Sequence, residues 1–215
     1  MYRDRYRMKL LIGLACLVAV VAIGLAVGRD PAPPRLDDSV RRHLHGWLEP
    51  SPYRGLVAKV AAERRDGHGT YVTAALPLLG AAVVATTAAG RGRRLRTWLP
   101  WIAVLLATLP LAFALRIALG RPGPDEGPVP AWSQGAYPSG GALLVALGWI
   151  IGGAVIAWLR PSWRPAVIGL AMLALAVHLF ARVAIGDHWL TDVVGSYLLA
   201  AGVALLTDRL RPGQS

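Results

Sequence analysis

Charge is scarce in this chain. Only 16% of its 215 residues are Asp, Glu, Lys or Arg, against about 25% in an average soluble domain. Hydrophobic residues make up 55% of the chain and the mean hydropathy is +0.47. Long stretches carry no charge at all, which points to a bilayer as solvent rather than water. Cysteine is nearly absent. Cys16 alone cannot form an intramolecular disulfide, so the redox compartment is not readable from it. It lies inside the first apolar run, and "GLAC" puts Leu14 one position too close for a lipobox, which leaves a buried, inert thiol. A Gly-rich nucleotide loop, a Cys/His metal cluster and a G-x-S-x-G elbow are also missing, so the usual signatures of nucleotide binding, a metal centre and a serine hydrolase are lacking.

What is present is a strong positive excess, net +11. A basic chain can bind nucleic acid or sit in a membrane, and the placement of the cations decides. They fall in short clusters between apolar runs instead of along one face, which argues against nucleic acid and fits a multispanning membrane protein. Six spans are expected, at 9–28, 71–90, 97–119, 141–159, 165–185 and 192–207, most near the ~20 residues needed to cross ~30 Å of hydrocarbon. The first follows "MYRDRYRMK", so a cleaved signal peptide is its rival reading, with "AVG" at 26–28 as the cleavage site. Its apolar part, Leu10 to Gly28, exceeds the usual ~7–15-residue signal core and favours a retained anchor.

Orientation follows from the basic links. Arg3, Arg5, Arg7 and Lys9, then Arg91, Arg93, Arg94 and Arg96, then Arg160 and Arg164, then Arg209 and Arg211 all fall on one side of six spans. The positive-inside rule makes that side cytoplasmic, with both termini inside and loops 29–70, 120–140 and 186–191 outside. Loop 29–70 carries eight cations of its own, partly offset by acidic neighbours; the rule weighs short loops most. The fold class expected is an all-α integral membrane protein, a six-span helical bundle forming one membrane-embedded domain over 1–215.

The long external loop has internal pattern. "DDSVRRHLHGWLEP" offers Asp37 or Asp38 as an N-cap, with Val40, Leu44, Trp47 and Leu48 on one helical stripe. "YRGLVAKVAAERRDG" repeats the pattern with Leu56, Val57, Val60 and Ala61, and Gly67 to end it. Two short amphipathic helices are expected, either lying on the outer leaflet or packed on the rim of the bundle.

Ionisable residues at the edge of apolar spans are costly and mark a functional site by default. Three groups stand on the outer face. In "LRIALGRPGP", Arg116 and Arg121 could grip a phosphate with their planar forks, or snorkel to lipid headgroups. In "YPSGGALL", Ser139 can cap a long apolar helix whose first N–H groups, at Gly140 and Gly141, make a ready anion site. In "LFARVAIGDHWLTDVVG", Arg182, His188 and Asp192 come together across one turn. His188 and Asp192 are one helical turn apart, so the carboxylate can fix the imidazole tautomer and leave the other nitrogen as nucleophile or base. His178, one turn before Arg182, reads as a hydrogen-bonded core histidine, with a supporting role behind the site as its alternative. Three outward sites suited to phosphate, without a metal motif, suggest metal-independent phosphoryl chemistry with no cofactor.

These residues resemble the type 2 phosphatidic acid phosphatase superfamily, the integral-membrane lipid phosphate phosphatases. Its three motifs run Lys-x6-Arg-Pro, Pro-Ser-Gly-His and Ser-Arg-x5-His-x3-Asp. "ARVAIGDHWLTD" keeps the Arg, His and Asp of the third, with Ala181 at the Ser. By this resemblance His188 takes the phosphoryl group, Asp192 orients it and Arg182 binds phosphate oxygens. In the first motif Arg116 stands at the Lys and Gly123 at the Arg, with Arg121 as the substitute. In the second, "PSGG" puts Gly141 at the His expected to protonate the leaving group, a role typically worth about 10²–10⁴-fold. The resemblance implies a phosphatase at the outer face of the plasma (inner) membrane, of bacterial style in composition. Its substrate would be a membrane lipid phosphate such as phosphatidic acid, phosphatidylglycerol phosphate or a polyprenyl (di)phosphate. The alternatives are a catalytically impaired relative that binds phospholipid headgroups or a membrane partner, and, more remotely, a transporter.

Overall fold

In hydrocarbon a backbone must satisfy its own N–H and C=O groups, and a helix does so within one segment. A computed structural model of the chain describes residues 2–28, 33–61, 68–87, 97–124 and 135–211, and every long element among them is a helix. In order these are α1 (Tyr2–Val27), α2 (Arg35–Leu48), α3 (Arg54–Ala61), α4 (His68–Thr87), α5 (Leu99–Leu106), α6 (Thr108–Leu119), α7 (Gly140–Leu159), α8 (Arg164–Ala184) and α9 (Leu190–Leu206). The expected cluster 91–96 and the expected stop at Gly67 lie outside the described residues.

Over its described residues each expected span coincides largely with helix, and the end of the second, 88–90, lies outside them. Four stretches among the described residues are long and apolar enough to cross a membrane: Tyr6–Val27, Leu99–Leu119, Gly140–Leu159 and Pro161–Ala184. Thr70–Ala85 and Leu190–Leu206 are shorter apolar helices. The third stretch is interrupted. Pro110 has no N–H for the Leu106 carbonyl and its ring crowds that carbonyl, and the helix breaks at Ala107, where Thr108 Oγ1 donates to the Leu105 carbonyl at 2.6 Å.

α7 is the central helix, its residues buried along most of its length. It packs on α4 by small residues. A Cβ on Gly148 would overlap the Ala74 carbonyl, and one on Gly152 the Pro77 carbonyl, so only glycine lets these two backbones approach so closely. α1 lies along α9 in the same manner, with Gly13 and Gly202 facing one another. At one end of that pair Lys9 Nζ reaches Asp208 Oδ2 at 2.5 Å and Arg209 lies over the Tyr6 ring. The start of α1 and the end of α9 therefore share one end of the bundle.

The opposite end collects the C-termini of α6 and α8 and the N-termini of α7 and α9. α2 and α3 lie there too. α2 packs against α8 and α9, and α3 against α4 and α8. His45 Nδ1 donates to the Ala184 carbonyl at 3.0 Å, Trp47 sets its ring edge-on to Phe180, and Leu48 is buried. Both helices therefore pack on the rim of the bundle, while Leu36, Trp47 and Leu56 stay exposed. The expected N-cap is corrected. Pro34 occupies the cap of α2, and Asp37 sits inside the first turn. Asp38 pairs with Arg42, while Asp37 is fully buried because its carboxylate is used elsewhere.

Candidate active site

The turn from α8 to α9 is shaped by its own backbone. Gly186 takes φ 79°, a left-handed conformation that L side chains avoid. The N–H groups of Asp187 and His188 fold back onto the Arg182 carbonyl at 3.1 and 3.4 Å. Asp192, three residues after the Trp189 cap, accepts the Trp189 N–H at Oδ2 (3.0 Å) and favours the positive end of α9. The same oxygen lies 3.4 Å from His188 Nδ1. The i,i+4 contact read from the sequence is therefore present, and it engages the ring through Nδ1. His188, Asp192 and Arg182 are all buried. Arg182 Nη1 stands 3.3 Å from Asp187 Oδ2.

Ser139 caps α7 as expected. Its Oγ accepts the Ala142 N–H at 3.3 Å, and its own N–H donates to the Asp192 carbonyl at 3.2 Å. Ser196 Oγ is 2.8 Å from both the Ser139 and the Asp192 carbonyls. The start of α7 is thus stitched to the first turn of α9, and Gly140 and Gly141 open α7 beside the dyad. Arg116 is the cation at this helix start: its Nη1 would lie 3.1 Å from a Cβ built on Gly140, and its Nε donates to the Gly135 carbonyl at 2.7 Å.

Arg121 behaves differently from the expectation. α6 ends at Gly120, in the left-handed conformation with φ 56°, and the chain turns inward. Arg121 is 2% exposed. Its Nη1 donates to Asp192 Oδ1 and to Thr191 Oγ1 (2.7 Å), and its Nη2 to Asp37 Oδ2 (2.6 Å). Both terminal nitrogens that the sequence reading offered to phosphate are already bonded to protein oxygens. Asp37 also accepts from Thr191, at Oδ1 from its N–H (3.0 Å) and at Oδ2 from its hydroxyl (2.6 Å). The Trp189 ring lies under both Arg121 and Arg41, 5.6 and 5.7 Å from centroid to Cζ, and its Nε1 donates to the Pro122 carbonyl.

Sequence reasoning missed Asp37, Thr191, Trp189 and Tyr137. The Tyr137 ring fills the space left by Gly195 on α9, and its hydroxyl donates to the Val20 carbonyl at 2.6 Å. Burial first, then the Asp192 charge, push its phenol well above the usual value, with Arg121 pulling the other way. His178 is buried and its Nδ1 is 3.1 Å from the Tyr197 hydroxyl, the core histidine expected.

The eight sequence-derived residues thus gather around the start of α7 and the α8–α9 turn. Residues 121–214 match the PAP2 superfamily. The resemblance to that superfamily is thereby borne out; Arg121, Ser139, Gly140, Gly141, Arg182, His188 and Asp192 fall inside the matched stretch and Arg116 outside it. No curated protein matches the sequence. The fold is similar to the crystal structure of the first transmembrane PAP2 type phosphatidylglycerolphosphate phosphatase from Bacillus subtilis. The TM-score is 0.67 over 92% of this chain and 94% of that chain, at 19% identity. At that identity the likeness is one of fold.

Proposed function

We propose that this chain is an integral-membrane lipid phosphate phosphatase that works through a phosphohistidine on His188. The observation that carries the reading is the His188–Asp192 dyad, placed beside the capped start of α7 and near Arg116 and Arg182, with the dyad, Arg182 and α7 inside the stretch 121–214 that matches the PAP2 superfamily. Substrate phosphate sits between Arg116, Arg182 and the N–H groups of Gly140 and Gly141, which stabilise charge on its equatorial oxygens. Ser139 holds the helix start in place, and Arg121 stands behind Asp192. His188 Nε2 attacks phosphorus in line, a P–N bond forms, and the P–O bond to the leaving group breaks with its electron pair. Asp192, which stays ionised, stabilises the positive charge that develops on the ring. Water then cleaves the P–N bond, releases inorganic phosphate and restores the imidazole.

Gly141 has no side chain to donate a proton. A lipid diphosphate, whose leaving group is itself a phosphate, needs little protonation, which favours a polyprenyl-type diphosphate over a lipid monophosphate. With a monophosphate, Asp187 or a water serves as acid. Six spans with both termini cytoplasmic put the site at the outer face of a bacterial plasma membrane. Lys9, Arg209 and Arg211 lie at the opposite end of the α1–α9 pair from the site, which supports this orientation under the positive-inside rule.

The test is phosphate release by purified protein without added metal, from a polyprenyl diphosphate, its monophosphate, phosphatidic acid and phosphatidylglycerol phosphate, beside His188→Ala. Release from the diphosphate that vanishes in the variant is expected. No release from any of the four, by folded protein, would replace the reading with a headgroup-binding relative.

A further inference from the structure

We infer that Asp37, on the external helix α2, is a positioning residue for the His188–Asp192 dyad. The inference rests on the phosphatase reading. Asp37 is 0% exposed although it comes from a loop helix, and a buried carboxylate persists only when its oxygens are paired. Its three partners all belong to the machinery around Asp192: the Arg121 guanidinium, the Thr191 hydroxyl and the Thr191 N–H. Arg121 therefore bridges two carboxylates, one from α2 and one from α9.

The bridge matters because of what the guanidinium would do without it. Arginine and a carboxylate prefer a two-pronged pairing that takes both oxygens. Asp37 occupies Nη2, so Arg121 engages Asp192 through Nη1 and Oδ1 only. Oδ2 is left for the Trp189 N–H and for His188 Nδ1. Because Asp37 offers the guanidinium a second carboxylate, less of its charge is left to offset the negative field of Asp192 at His188. α2 is held in register by contacts independent of Asp37, at His45 on Ala184, Trp47 on Phe180 and Arg41 over Trp189. It can therefore deliver the carboxylate as a fixed part.

The test compares wild type with Asp37→Asn, which keeps the shape and removes the charge, and Asp37→Glu, which restores it. With a polyprenyl diphosphate in detergent micelles, Asp37→Asn should lower kcat about tenfold or more while KM stays within about twofold, as for loss of an outer partner of a catalytic ligand. Asp37→Glu should recover most of kcat. A second readout needs no turnover: the rate at which diethyl pyrocarbonate modifies His188, followed by peptide mass spectrometry with exposed His43 as internal reference. It should fall several-fold in Asp37→Asn. Wild type that releases no phosphate would sink the phosphatase reading, while the His188 modification rates would still decide the role of Asp37. Unchanged kcat and unchanged His188 reactivity in Asp37→Asn would overturn the inference, as would a raised KM at full kcat, which would put Arg121 on the substrate. Should Asp37→Asn fail to fold, Thr191→Val, which keeps both charges and removes the shared hydroxyl, must lower kcat several-fold in the same pattern; no change there would also overturn it.

Discussion

Asp192 closes the first turn of α9 with one oxygen and holds Arg121 with the other, and the first of these oxygens also faces His188. Replacing it by Asn keeps the shape but offers an amide where the imidazole needs an acceptor. Asp192→Asn should lower kcat by about 10³–10⁴, the cost of a wrong tautomer in a comparable dyad, checked by steady-state phosphate release. Ser139→Ala should cost about 1 kcal/mol through the lost N-cap, read as a lower melting temperature in detergent. The dyad was legible in the sequence because His188 and Asp192 are only four residues apart, although His188 precedes the Trp189 cap and meets Asp192 across the start of α9 rather than along it. Arg121 was visible as a cation at the site, but its partners were not. Asp37 is 84 residues from Arg121 and 154 from Thr191, and nothing local distinguishes such an acid from the helix cap it resembles.

At the scale of elements, the apolar runs mapped onto helices because hydrocarbon leaves the backbone few other choices. The ends and interruptions were harder to see, since they depend on single residues. Pro110 splits the third run into α5 and α6, and Pro34 rather than Asp37 caps α2. Small residues do for helix pairing what bulk does elsewhere. Gly152→Leu should drive α4 from α7, because the side chain would have to pass through the Pro77 backbone. The expected outcome is loss of the monodisperse folded peak in size-exclusion chromatography, whereas Gly169→Leu, at a position with open space around it, should leave that peak intact.

The whole molecule is polarised. One end gathers Arg116, Arg182, the dyad and α2; the other joins Lys9 to Asp208 and Arg209 to Tyr6. That division is legible from the basic links alone, through the cost of moving cations across a bilayer. It predicts a labelling pattern. In a Cys16→Ser background, Tyr53→Cys beside α3 should react with a membrane-impermeant maleimide in intact cells, and Ser162→Cys between α7 and α8 only after permeabilisation. The reverse pattern would turn the site to the cytoplasm.

The central claim is that His188 carries the phosphoryl group, and the most direct measurement is to catch it there. Protein mixed with a ³²P-labelled polyprenyl diphosphate and quenched in alkali should hold label that is stable to base, labile to acid and located on the peptide containing His188. His188→Ala should hold none. Turnover of the same substrate with no label on His188, or with label on another residue, would contradict the account.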